Sequence, residues 1–100
     1  MDVTFTTQSA GRANVVTGNF TSDGTEVTVT IGFTPRYIRR VNATDGVAGE
    51  WMQDMPEGAS VNIEAALTID TSGAVDVGDK YFKLSAGAAG NAKDFFFVAM

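Results

Sequence analysis

The stretch "TEVTVTI", residues 25–31, decides the fold class. Val27, Val29 and Ile31 alternate with Glu26, Thr28 and Thr30, a period of two that puts all the apolar side chains on one face of an extended chain. β-branched residues fill both faces, and such side chains fit a pleated surface. The segment therefore reads as a half-buried strand, and "TSDGTE" (21–26) just before it reads as a hairpin turn.

Working outward, "SVNIEAALTID" (60–70) carries the same alternation. Val61, Ile63, Ala65, Leu67 and Ile69 stand against Asn62, Glu64, Ala66, Thr68 and Asp70. A strand over 60–70 is expected, with a short helix over "NIEAALT" as the competing reading, because Glu, Ala and Leu are good helix formers. Turn signals recur at "TGN" (17–19), "SDG" (22–24), "TDG" (44–46), "PEG" (56–58), "TSG" (71–73) and "VGD" (77–79). Asp and Asn tolerate left-handed backbone, and glycine has no Cβ to clash there. Short strands punctuated every ~8–12 residues indicate an all-β protein: one antiparallel β-sandwich or jelly-roll-like barrel. Residues 1–12 are polar except for Val3 and Phe5 and read as an extended N-terminal arm, ordered only where something receives it. Residues 13–100 form the domain. "SAGAAGNAK" (85–93) reads as a loop before a last strand, "DFFFVAM" (94–100), which has Phe95, Phe97 and Ala99 on one face and Phe96, Val98 and Met100 on the other. An apolar residue on each face requires a central position or a second subunit.

One hundred residues accommodate one core and no interdomain cleft. Net charge is −5 and there is neither cysteine nor histidine. Acidity disfavours phosphate-backbone binding, which depends on cations displacing counterions. The missing residues remove disulfides, thiolates, the Ser–His triad and the commonest transition-metal ligand. The first residues show neither the basic nor the apolar region of a secretory signal, and no run approaches the ~18 apolar residues of a membrane span. Glu50, Asp54 and Glu57 are close enough in sequence to raise a glycosidase-type carboxylate pair, and Asp76 and Asp79 raise a calcium site. Solvated turns account for both groups more simply. "NFT" and "NAT" match the glycosylation acceptor pattern by chance. No cofactor, metal or catalytic site is expected, and the chain reads as a non-enzyme.

Arg36, Arg39 and Arg40 place three of the seven basic residues within "RYIRR" (36–40). On a strand, Arg36, Ile38 and Arg40 share one face, and Tyr37, Arg39 and Val41 the other. The charge thus forms no single stripe of the kind that tracks a single-stranded backbone. Arginine and tyrosine are enriched at protein interfaces, so the expected use is a protein contact. Ordinary surface salt bridging to the twelve acidic residues is the competing reading, and base stacking on Tyr37 in single-stranded nucleic acid is a lesser one. "EWMQDMPEG" (50–58) adds Trp51, Met52 and Met55 beside a proline turn. A lone tryptophan most often plugs a core, whereas methionines near a polar turn suit a partner surface. The expected interface set is Arg36, Tyr37, Arg39, Arg40, Trp51, Met52, Met55, Phe95 and Phe97.

The succession Gly32-Phe33-x-Pro35-Arg36-Tyr37-Ile38, then Asn42-x-Thr44-Asp45, Glu50-Trp51 and Met55, resembles small virion proteins of tailed bacteriophages. The likeness spans about residues 25–60 and the apolar C-terminal strand, and leaves out the arm and residues 85–93. It implies a capsid decoration (cement) protein on the virion surface, made in the host cytoplasm. The same resemblance implies that the chain binds a major capsid protein or another virion protein and self-associates, a trimer being favoured. The alternative it implies is a carbohydrate- or receptor-binding module of a head or tail fibre, with Trp51 and Tyr37 stacking on sugars.

Overall fold

The computed structural model describes residues 1–5 and 14–100. Ten strands and one helical turn follow in the order β1 Asp2–Thr4, β2 Val16–Asp23, β3 Val27–Thr30, β4 Tyr37–Asn42, β5 Val47–Met52, β6 Ser60–Ile63, β7 Leu67–Asp70, β8 Val75–Gly78, β9 Tyr81–Leu84, α1 Ala86–Ala89 and β10 Asn91–Ala99. They make two sheets, one ordered β1-β3-β9-β8 and the other β2-β10-β4-β5-β6-β7. Among the described residues only β1 with β3 is parallel, and every other pairing is antiparallel. The fold is a β-sandwich of unequal layers.

The core lies between the sheets. Val27, Val29, Val75, Phe82 and Leu84 of the four-stranded sheet meet Val16, Phe20, Ile38, Phe95, Phe97 and Ala99 of the six-stranded one. Phe20 stacks on Phe95 at 5.2 Å between ring centroids, and Phe97 takes edge contacts from Phe82 at 5.5 Å and Phe5 at 5.1 Å. Such pairs add ~0.5–1.5 kcal/mol each beyond the area they bury. The alternation of 25–31 holds as read: Val27, Val29 and Ile31 are fully buried.

Several local expectations change. "SDG" turns the chain from one sheet to the other, since β2 and β3 belong to different layers, so it closes no hairpin. "TGN" lies inside β2, where Gly18 makes room for Phe5; a Cβ there would sit 2.5 Å from that ring. Residues 60–70 are two strands, because an edge hairpin pairs backbone groups that one long strand would leave open. Residues 86–89 of the expected loop form a turn of helix capped by Ser85, and the last strand begins at Asn91 rather than Asp94, with a bulge between those two residues. Asp2–Thr4 of the expected arm pairs with β3 of the same chain. Residues 6–12 of that arm lie outside the described residues.

Candidate protein interface

Register sets which side chains share a face of the six-stranded sheet. One row crosses it as Asn19, Phe96, Val41, Ala48, Ile63 and Leu67. The next runs Thr17, Val98, Arg39, Glu50, Val61 and Ile69. Both lie on the side away from the core. From β10 to β7 the first row is apolar at every strand, a span of roughly 19 Å at ~4.8 Å per strand. Leu67 is 69% exposed, Ile69 59%, Phe96 53%, Met52 46% and Met100 44%. Isolated exposed apolar residues are ordinary, but a contiguous set on one face marks an interaction surface.

The outer face of the other sheet shows the contrast. Its rows run Asp2, Thr28, Lys83, Asp76 and Thr4, Thr30, Tyr81, Gly78. Lys83 sits over the Tyr81 ring and pairs with Glu26 at 3.8 Å. This face is polar. The same sandwich therefore presents one wettable outer face and one apolar one.

At the centre of the apolar face lies a small polar island. Tyr37 Oη donates to Glu50 Oε2, and Arg39 pairs with Glu50 Oε1 at 3.4 Å. The hydrogen bond to the Glu50 carboxylate, then burial, pushes the Tyr37 hydroxyl above its ordinary range. Flanking it, Met55 Sδ accepts from the Met52 amide at 3.4 Å, and Arg36 Nε donates to Gln53 at 3.2 Å. Tyr37, Arg39 and Met52 thus share the face, with Arg36 and Met55 at the end where β4 begins and β5 finishes.

Four expected interface residues lie elsewhere. Phe95 and Phe97 are core residues, 2% and 5% exposed, because β10 turns those positions towards the opposite sheet. Phe96 takes the outer position instead. Trp51 is opposite Ile38 on the inner side and packs against the core. Arg40 is opposite Gly49 on that same side and only 6% exposed. The alternation of 36–41 was readable, but which parity faced the core was not. Leu67, Ile69 and Met100 join the face beyond the expected set; the alternation of Leu67 and Ile69 is the sequence signal for them, and it points outward.

The residues raised for chemistry are occupied or dispersed. Glu50 is held by Tyr37 and Arg39, while Asp54 and Glu57 are exposed in the β5–β6 connection. Asp79 accepts from Thr34 at 3.1 Å. Among the described residues no three carboxylates gather closely enough to hold a metal ion. Asn42 of "NAT" is buried and holds the β4–β5 turn, accepting from the Asp45 amide at 3.0 Å. No helix among the described residues is long and apolar enough to cross a membrane. Comparisons of the chain with protein-family models, with curated proteins and with solved structures gave no match in any of the three.

Proposed function

We propose that the protein is a structural, non-enzymatic assembly protein that binds other protein surfaces through the outer face of its six-stranded sheet. The observation that carries this reading is the apolar row from Phe96 to Leu67, set against the polar outer face of the other sheet. Covering half-exposed side chains of this size releases ~1 kcal/mol or more each, given ~1.5–3 kcal/mol for complete burial. Arg39 and Tyr37 supply directional polar contacts among them, the composition of interface hot spots. Together with the sequence resemblance, this favours decoration of a tailed-phage capsid, by contact with a shell protein and between copies of the chain. The sugar-stacking alternative draws no support from Trp51, which packs inward.

The test is co-purification. Particles assembled in the cell that makes this chain are banded on a density gradient and imaged. The reading requires the chain to band with them and to account for density on their surface. A chain that remains wholly at the top of the gradient contradicts it.

A further inference from the structure

The sheets differ in width, and the excess strands create a second feature on the opposite side. β6 and β7 contribute nothing to the buried core. Their inner positions are polar: Ser60, Asn62, Thr68 and Asp70. Between this overhang, the β7–β8 connection and the α1 turn lies an open cavity of about 380 Å³. Small side chains, Gly49 and Ala88 among them, form much of its wall.

Arg40 reaches into this cavity. Its guanidinium lies flat against Gly49, where an added Cβ would come within 2.6 Å of Cζ. The residue is 94% buried by its 6% exposure, yet Nη1 has no hydrogen-bond partner among the described residues. None of the ion pairs within 4 Å among those residues includes it. Buried charges persist where something pairs with them, because desolvating an unpaired ion is costly. The carboxylate whose charge acts on it, Asp70, is already used: Oδ1 accepts from the Ser72 amide at 2.7 Å and Oδ2 from Asn62 at 3.2 Å. Arg40 thus offers a forked donor whose natural complement is a planar carboxylate.

The rest of the lining narrows the class of ligand. Asp45, Glu64 and Asp70 also line the cavity, Asp45 paired with Lys93 at 3.0 Å, and this lining disfavours a multiply charged anion such as phosphate more strongly than a singly charged one. Acceptors in excess call for a ligand rich in donors, and hydroxyls provide them without added charge. The volume suits a single ring. We infer that this cavity binds a small hydroxylated monocarboxylate of monosaccharide size, a sugar acid, with its carboxylate on Arg40. The site is on the opposite side of the sheet from the protein-binding face and does not depend on that reading.

Titration calorimetry and amide-resonance mapping of the whole chain test it, with glucuronate and N-acetylneuraminate as probes. Glucose, acetate and inorganic phosphate serve as controls. At least one sugar acid is expected to bind, shifting the amides of Gly49, Asn62 and Ser72, and to do so at least about tenfold more tightly than any control. Arg40→Met, which keeps the stem and removes the fork, should lose binding by about tenfold or more. Ala88→Leu narrows the wall without touching Arg40 and should weaken binding even if Arg40→Met fails to fold. No binding by either acid, equal binding by acetate or phosphate, or unchanged affinity in a folded Arg40→Met or Ala88→Leu chain overturns the proposal.

Discussion

Phe96 and Phe97 are neighbours in the chain and opposites in environment: Phe96 is 53% exposed on the outer face, and Phe97 is 5% exposed among Phe5, Phe20 and Phe82. Alanine substitution should separate them. Phe97→Ala opens a cavity between the sheets and is expected to cost ~3–5 kcal/mol. Phe96→Ala should stay within ~0.5 kcal/mol of wild type, as surface changes do. Urea unfolding monitored by Trp51 fluorescence reads both; equal losses would contradict the assigned faces.

Gly18 and Phe5 are expected to behave as one unit. Gly18→Ala places a methyl group where the Phe5 ring lies, and overpacking of this kind costs ~1–3 kcal/mol. Phe5→Ala removes the obstacle along with its own packing. The double variant should therefore be more stable than the sum of the two single losses predicts. Strict additivity in thermal melts would mean that Phe5 does not occupy that position.

Acid should weaken the loops that carboxylates organise. Hydrogen bonds from Ser72 hold Asp70 below its ordinary 3.8, and those from Lys93 and Asn42 hold Asp45 below the same value. A depressed folded value means that the unfolded chain takes up protons first as pH falls. This stabilisation is complete above the unfolded value and lost as pH drops through the folded one. Tm should therefore decline below about pH 4, and Asp70→Asn should reduce the slope. An identical slope in that variant argues against the Ser72 contacts.

Tyr37 carries the opposite sign. Its hydroxyl, donating to Glu50, has a raised folded value, so its contribution is complete below the unfolded value near 10 and lost as pH rises through the folded one. Spectrophotometric titration should show one of the two tyrosines ionising late. Glu50→Gln should return it towards ordinary behaviour, and two unperturbed titrations would contradict the bond.

How far the sequence could be read follows from parity. At 25–31 strict alternation met a covering sheet, so pattern and burial agreed. At 60–70 the alternation was real but misleading. Three residues, 64–66, separate Ile63 from Leu67, an odd number that returns the chain with Ile63 opposite Leu67. The pattern thus runs through the turn unbroken, without a glycine or proline to mark it. Its apolar side also faces outward, because the overhanging strands have no sheet beneath them. At 36–41 the two faces were correctly separated, but which one met the core depends on pairing with β10, a contact about sixty residues away. The cavity around Arg40 was not legible at all, since β4 to β7, α1, β10 and the connections between them build it together.

Oxidative footprinting by hydroxyl radicals, read by mass spectrometry on the free chain and on the chain within its assembly, tests the central claim most directly. In the free chain Met52, Met100 and Phe96 are exposed and should oxidise readily. In the assembly these three should be protected, while Tyr81 on the other outer face keeps its free-chain rate. Unchanged oxidation of Met52, Met100 and Phe96, with protection of Tyr81 instead, would contradict an interface on the six-stranded sheet.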